Sequence, residues 1–496
     1  MSTDYSRTEL LASKTTTVAS DLLSHLEQQV VVVTCDADPA MIRGARTLLT
    51  ILRRLPVALV FDGTGIDTEQ SDAIRTAVAS VDPDRPLHEN AKEGVRVHIG
   101  LEAPLGTLRV VPSQHGAHVV RDGRTIMAKP ASPLGSCMAA ALAAAEVFKD
   151  VVCVRADRRS DLPYYAFCPV TLSVRPEDAP PLALPFRFSG ALVGLGAIGS
   201  ATAMILGELD TRGNIDLVDR QKYATENVTT YSLGGQPDVA ASVWKTELAE
   251  RALRAAHCER FDNGIEDYVS RVQNGALTPP RIVVAGLDSV EARHETQRLW
   301  PDLLIDGGTG DTMLGLHVVE GVGQPCMMCF LPLRTGPSPY DILAELTGLP
   351  ITKLRDGDAI LREEDLSGVS AEQRKQLAGH IGKKICGLVQ VVGLTDIPAD
   401  GFQPSAAFVS LAAACLVVGR LVARELHVEP AASFVQYDAL FGPDGATVEE
   451  RTATPNCYCV TRANTIVTVR DRRRFSSDFI PLRTPALIRI VSEPST

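Results

Sequence analysis

Short β-branched runs alternate along the chain with longer segments in which apolar residues recur every three or four positions. The runs are typical of buried strands and the longer segments of helices. Their alternation predicts an α/β protein with a mostly parallel sheet. We predict strands at residues 30–35, 57–61, 95–99, 108–111, 188–193, 215–218, 281–285, 303–305, 434–440 and 447–452, and helices at 39–55, 136–149, 200–209 and 404–425.

The pattern predicts two domains with a Rossmann-like fold. Only the second has a glycine-rich loop after its first strand, so we expect the first to be a scaffold or dimerisation domain rather than a second catalytic site. Prolines 176, 180, 181 and 185 disfavour helix and interior strand. The predicted boundaries are 1–175 for the scaffold, 176–187 for an extended linker, 188–464 for the main domain and 465–496 for a C-terminal tail.

Composition narrows the classes of function. The net charge of −11 argues against nucleic-acid and anionic-membrane binding. The first twenty residues are polar and do not predict a signal peptide, and the apolar stretch 406–419 is too short for a bilayer and predicts a buried helix. Eleven cysteines, scattered except for two close pairs, fit reduced thiols in the cytoplasm.

Residues 194–199 read Gly-Leu-Gly-Ala-Ile-Gly between a predicted strand and a predicted helix, and Asp219 follows Gly199 by twenty residues. Glycines let a phosphate approach bare backbone N–H groups, and an acid at this distance accepts ribose hydroxyls. The pattern predicts nucleotide binding, and it fits a dinucleotide as well as ATP. A tight turn without a ligand is the alternative.

Further residues follow in a recognisable order, namely Asn227, Lys245, Asp288 with Arg293, and the pair Cys326 and Cys329. Together with the loop and Asp219 they resemble the ThiF/MoeB and ubiquitin-activating superfamily of adenylating enzymes, over about residues 186–460. The resemblance is closest to bacterial activators of a ubiquitin-like protein. It implies an active adenylation domain at 188–464, preceded by an inactive adenylation-like domain.

The resemblance also implies residue roles. Gly194, Gly196 and Gly199 would line the ATP phosphates, and Asp219 would hold the ribose. Asn227 and Lys245 would contact the triphosphate, and Asp288 would hold Mg²⁺. A lysine, a metal ion and backbone N–H groups suit this chemistry, because a carboxylate attacking the α-phosphate needs its charge neutralised.

One position departs from the family pattern. Members usually carry an arginine three residues after the position of Asn227, and this chain has Thr230 there, followed by Tyr231. We expect the missing positive charge to weaken ATP handling unless another cation replaces it, such as Arg212 or one from a partner subunit. An inactive relative is the other reading.

Four cysteines form two close pairs, Cys326 with Cys329 and Cys457 with Cys459. Four thiolates in two pairs suit a closed, tetrahedral structural Zn²⁺ site. The second pair is one residue shorter than the family's usual C-x-x-C. The alternative is four buried or free thiols.

Between these pairs lies a crossover segment, residues 334–400, whose single cysteine is Cys386. In the resembled family this segment often bears the cysteine that receives the activated carboxyl group. Lys383 and Lys384 would favour the thiolate of Cys386. A small packing residue is an equally good reading of this cysteine.

The sequence therefore predicts ATP-dependent adenylation of the C-terminus of a ubiquitin-like protein, then a thioester on Cys386. The expected partners are that protein, a conjugating enzyme and a second copy of the chain. Rival readings are an adenylyltransferase for a sulfur carrier or a peptide, a catalytically dead scaffold, and an NAD-dependent oxidoreductase.

Overall fold

The computed structural model describes residues 3–18, 21–89, 93–104, 106–332, 339–354, 359–382 and 405–475. These residues form an α/β protein with two mixed sheets, as the apolar pattern predicted. The described helices, in chain order, are α1 Ser6–Ser13, α2 Leu22–Glu27, α3 Pro39–Leu52, α4 Thr68–Val81, α5 Pro133–Val151, α6 Ala197–Glu208, α7 Gln236–Ala240, α8 Lys245–Ala252, α9 Ile265–Gln273, α10 Val290–Gln297, α11 Met327–Phe330, α12 Pro339–Thr347, α13 Ile351–Leu354, α14 Ala371–Leu377, then Ala407–Glu425, Tyr458–Thr461 and Ala463–Phe475.

The first sheet has six strands in the order β2-β1-β3-β4-β5-β6. Its first four strands are parallel, whereas β5 and β6 are antiparallel to their neighbours. The strand bounds are β1 Val30–Cys35, β2 Ala58–Asp62, β3 Val95–Ile99, β4 Leu108–Ser113, β5 Gly116–Val120 and β6 Tyr164–Phe167.

The second sheet has eight strands in the order β14-β13-β12-β11-β10-β7-β8-β9. Strands β9, β8, β7, β10 and β11 are parallel, and β12 to β14 complete the sheet in antiparallel fashion. The bounds are β7 Gly190–Val193, β8 Asn214–Val218, β9 His257–Phe261, β10 Ile282–Ala285, β11 Leu303–Gly310, β12 Met313–Val319, β13 Phe434–Asp438 and β14 Thr447–Glu449.

The helix Ala407–Glu425, here called the central helix, connects the two sheets. It packs against α5 on one side and against α6, β11 and β12 on the other. Where it meets α5, the rings of Phe148 and Phe408 lie 5.1 Å apart. Since one continuous apolar core includes residues of both sheets, the boundaries at 175 and 188 remain a prediction about domains.

The central helix confirms the prediction of a buried apolar helix near residues 404–425. It is the one helix in the described part of the chain that is long and apolar enough to cross a membrane, and 94% of its apolar window is buried inside the protein. Its apolar surface is therefore buried against α5, α6, β11 and β12.

One strand runs further than predicted. The sequence placed the end of β11 at Ile305, but the strand continues to Gly310. Strand β12, which the sequence analysis did not predict, pairs antiparallel with β11 along its full length and extends it, with Asp306 opposite His317. Asp306 is therefore a strand residue within the sheet rather than a loop residue at its edge.

Candidate nucleotide site

The glycine-rich loop joins β7 to α6, as predicted. Gly194 has φ +77°, and a Cβ atom at Gly199 would overlap the Gly194 carbonyl oxygen, so the helix approaches the strand too closely for a side chain. A Cβ atom at Gly196 would meet nothing nearer than the Tyr231 hydroxyl, at 3.5 Å. The first and third glycines thus shape the turn, whereas a side chain at the second would be in van der Waals contact with Tyr231.

Asp219 follows β8 and ties this loop to the strand end. Its Oδ2 accepts a hydrogen bond from the Leu195 N–H at 2.8 Å and its Oδ1 accepts one from the Gln221 N–H at 2.8 Å. Burial raises the pKa of Asp219, and the charge of Asp288 raises it further, while Lys245 and the two N–H groups oppose the shift. The role of Asp219 as a ribose ligand stays a prediction.

Lys245 begins α8 and is buried beside Asp219. Its Nζ donates to Gln221 Oε1 at 2.6 Å and lies 5.0 Å from the centre of the Tyr231 ring. Burial disfavours the ammonium, but Tyr231, Asp219 and Asp288 outweigh it, so the pKa of Lys245 is raised. The side chain therefore carries its positive charge inside the protein.

Asp288 is an exposed residue two positions after Gly286, on the loop that follows β10. Its negative charge acts on both Lys245 and Asp219. The structure thus brings together the glycine loop, Asp219, Lys245 and Asp288 at the carboxyl ends of β7, β8 and β10. That is the edge at which an open α/β sheet binds its ligand.

Arg293 of α10 braces the loop that carries Asp288. Its Nε and Nη2 atoms donate to the Leu287 carbonyl oxygen at 3.0 and 2.8 Å. The same guanidinium lies 3.4 Å from Asp306, a fully buried acid whose Oδ2 is 2.9 Å from His317 Nδ1. Because these partners lie in the core of the second sheet, they fix the Leu287 backbone next to Asp288.

Asn227 is buried next to this site, and its side-chain oxygen is already engaged in a local hydrogen bond. Its Oδ1 accepts a hydrogen bond from the Ala224 N–H at 2.9 Å and closes the turn Thr225–Asn227. The predicted contact of Asn227 with a triphosphate stays a prediction. Thr230 is also buried, and its hydroxyl lies 3.5 Å from the Asn227 carbonyl oxygen.

Arg212, which the sequence suggested as a replacement for the arginine missing at Thr230, does not lie at this site. Arg212 lies just before the first residue of β8, at the opposite end of that strand from Asp219, and is paired with Asp210. Arg7 of α1 is a better candidate, because its positive charge lowers the pKa of Tyr231, although burial, which raises that pKa, is the largest effect. Sequence reasoning gave no role to Gln221 or Tyr231, whose contacts with Lys245 depend on the folded chain, and it did not consider Arg7.

The four paired cysteines converge, as predicted for a metal site. Their sulfur atoms all lie within 4.8 Å of one another, with separations of 3.9 Å for Cys326–Cys329, 3.5 Å for Cys326–Cys457 and 3.6 Å for Cys329–Cys459. Tetrahedral Zn²⁺ with Zn–S bonds of about 2.3 Å requires sulfurs about 3.8 Å apart. The donor set therefore fits a structural zinc ion.

The proposed nucleophile lies outside the described residues, because Cys386 falls within 383–404. The six remaining cysteines are buried or half-buried, as is usual for cysteines that act as small packing residues. The buried ones are Cys35, Cys137, Cys168 and Cys415, and the half-buried ones are Cys153 and Cys258.

The two-sheet α/β architecture and the glycine loop define a protein of the Rossmann-like nucleotide-binding class. Residues 186–459, more than half of the chain, match the ThiF family. The chain therefore belongs to the ThiF family. No curated protein matches it.

Two solved structures are similar in part. One is E. coli MccB with MccA-N7isoASN, at 16% identity, and the other is the microcin C7 biosynthetic enzyme MccB in complex with N-formylated MccA, at 17%. In both cases the TM-score is 0.34, and the match covers 54% of this chain and 66% of the other. The chain thus spans slightly less than two thirds of these proteins.

Proposed function

We propose that this protein adenylates a carboxylate with ATP. The observation that carries the proposal is the convergence of the glycine loop, Asp219, Lys245 and Asp288 at one sheet edge of a ThiF-family chain. A carboxylate oxygen attacks the α-phosphorus, a new P–O bond forms, and the bond to the β,γ-phosphates breaks with its electron pair leaving on pyrophosphate. The negative charge that accumulates in this step must be neutralised.

The chain's own groups fit that requirement. Lys245 stays charged at the site, and the start of α6 offers backbone N–H groups next to Gly196, which has no side chain of its own. Asp288 would hold Mg²⁺, which supplies further charge neutralisation when bound. Its exposed carboxylate, close enough to act on Lys245 and Asp219, fits a metal at this edge.

We propose that the carboxylate is the C-terminus of a ubiquitin-like protein, as the order of the motifs suggests. The Cys386 thiolate would then attack the acyl carbon, forming a thioester as AMP leaves. A conjugating enzyme would accept the acyl group, and the protein would act as a cytoplasmic homodimer. The chain combines a first domain that lacks the glycine-rich loop with a second domain that has it. This combination supports an activator of a ubiquitin-like protein over a single-domain activator.

The test is to mix the full chain with Mg-ATP and candidate ubiquitin-like carriers, and to read intact masses. An adenylated carrier and a thiol-sensitive adduct of chain and carrier are expected, and the adduct should disappear in Cys386→Ala. Adenylate without adduct favours a sulfur-carrier or peptide adenylyltransferase. Quenching of NADH fluorescence without any ATP binding would instead identify an oxidoreductase.

Asp288→Asn is expected to lower ATP–pyrophosphate exchange about 50-fold, with partial recovery at high Mg²⁺, because the variant loses the charge that would hold the metal. Exchange is measured across a Mg²⁺ titration. Asp267→Asn, which removes an exposed acid of α9, should behave like the wild type. Undiminished exchange in Asp288→Asn would rule out the metal role.

Arg7→Ala is expected to weaken binding of α,β-methylene-ATP about tenfold, the loss of roughly one charge-assisted contact. The reason is that Arg7 supplies positive charge near Tyr231, where Thr230 replaces the family's arginine. Calorimetry measures the affinity. Lys14→Ala is the matched control, because this cation of the same segment pairs with Asp311 instead; equal losses in both variants would contradict the assignment.

A further inference from the structure

Arg54, just after α3 in the first half of the chain, is almost fully buried, with 1% of the residue exposed. Its Nη1 donates to the Val228 carbonyl oxygen at 2.7 Å, and its Nη2 donates to those of Ser232 and Gly234 at 2.9 and 3.0 Å. All three acceptors belong to residues 228–234, here called the bridging segment, which lies between Asn227 and Lys245. One side chain of the first half thus caps three carbonyl groups of the second.

Backbone packing holds the end of the bridging segment in the same place. Gly234 has φ +76°, and a Cβ atom there would lie 3.0 Å from both Leu248 Cδ1 and Tyr223 Cζ. A Cβ atom at the next residue, Gly235, would overlap the Ser80 carbonyl oxygen near the end of α4. At Gly235 the chain therefore passes too close to the first half to carry a side chain.

The bridging segment also shares an apolar cluster with the first half. Val81 of α4 packs with Val228 and Tyr231, together with Tyr223, Val243 and Leu248. Tyr231 lies between two of the residues whose carbonyls Arg54 binds. It is also the residue that faces Gly196 and Lys245, so its position decides how much space remains above the glycine loop.

We propose that Arg54 is a positioning residue through which the first half of the chain sets the geometry of the nucleotide site. By fixing the carbonyls of Val228, Ser232 and Gly234, it holds Tyr231 against Lys245. The proposal rests on the proposed nucleotide-binding function, and it makes the loop-less half a structural part of the site rather than a separate scaffold.

The three acceptors of Arg54 are neutral carbonyl groups, so we expect these hydrogen bonds to act by fixing the position of the backbone. Buried carbonyl groups that lose their donor are costly, and the backbone moves to find other partners. In Arg54→Met the bridging segment would shift, and Tyr231 with it. A misplacement of about 1 Å at a reacting centre costs up to about 100-fold in rate.

Arg53 provides a matched control. It is the neighbouring residue, is equally buried with 1% exposed, and also donates to backbone carbonyls, those of Arg85 and Val57. Both acceptors lie within the first half. Arg53→Met therefore removes the same kind of buried guanidinium without touching the bridging segment.

The experiment compares full-length Arg54→Met, Arg54→Lys and Arg53→Met with the wild type. Calorimetry measures affinity for Mg²⁺ and α,β-methylene-ATP, thermal unfolding measures stability, and hydrogen exchange reports on residues 228–234. We expect both methionine variants to lose stability. Only Arg54→Met should lose about tenfold or more in affinity and lose protection in the bridging segment. Arg54→Lys should recover part of the affinity and part of the protection, because its ammonium can still donate to some of the three carbonyls. It also keeps the test possible if Arg54→Met does not fold.

Equal affinity in Arg54→Met and the wild type, or equal losses in Arg53→Met, would overturn the positioning role while leaving the proposed function intact. If the wild type fails to bind the analogue, the proposed function fails. In that case hydrogen exchange still tests whether Arg54 fixes the bridging segment. Unchanged protection of residues 228–234 in the Arg54 variants would show that it does not.

Discussion

Lys245→Met is expected to lower ATP–pyrophosphate exchange about 100-fold or more, the cost of removing one preorganised charge donor from a phosphoryl-transfer site. The ammonium is buried, is held by Gln221, and has its pKa raised by Tyr231, Asp219 and Asp288 against the effect of burial. Methionine keeps the length of the side chain and removes the charge. The affinity for α,β-methylene-ATP should fall as well.

Lys222→Met is the control for this prediction. Lys222 is an exposed lysine whose Nζ lies 5.1 Å from the centre of the Trp244 ring, next to Lys245. Its loss should leave exchange within about twofold of the wild type, as for most surface substitutions. Exchange that survives Lys245→Met would contradict the assignment of the triphosphate site.

Cys457→Ser is expected to abolish zinc binding and to lower the melting temperature by about 5 °C or more, because a structural zinc ion contributes its binding energy to folding. The ion would join the segment that carries Cys326 and Cys329 to the one that carries Cys457 and Cys459. The same junction includes the edge-to-face contact of Trp300 and Tyr458, at 5.7 Å. Metal analysis of purified protein should find one zinc per wild-type chain and none in the variant.

Trp300 gives this prediction a second readout. The chain has 2 tryptophans, and Trp300 packs in the same apolar cluster as the cysteines. Chelation should therefore shift the tryptophan emission to the red in the wild type and have no further effect in Cys457→Ser. Cys258→Ser, at a half-buried cysteine outside the cluster, should retain the metal. A wild-type chain that purifies without zinc and gains no stability from added zinc would disprove the site.

The sequence predicted the parallel part of the fold well because those strands are buried on both faces and read as unbroken apolar runs. It missed β5, β6, β9 and β12. In β9 exposed and half-buried residues alternate up to the buried Phe261, and the other three are antiparallel strands whose existence depends on a neighbour already in place. Long-range pairing of this kind leaves little trace in local periodicity.

The residues of the site also fall into a group that the sequence predicts and a group that it does not. The glycine loop, Asp219, Lys245 and Asp288 lie on strand ends or helix starts, so their convergence follows from the topology of a parallel sheet. Arg54 of the first half binds the bridging segment, which carries Tyr231, and the charge of Arg7 lowers the pKa of Tyr231, although burial, which raises it, is the largest effect. No spacing rule connects residue 7 or 54 with residue 231, so only the folded structure could reveal them.

The most direct measurement is a calorimetric titration of the full chain with Mg²⁺ and α,β-methylene-ATP, in which the bond that adenylation breaks is blocked. One molecule should bind per chain in the wild type and in Lys222→Met, and binding should be lost in Lys245→Met. A wild-type chain that takes up no nucleotide, or that prefers NADH, would contradict the assignment of this sheet edge to ATP.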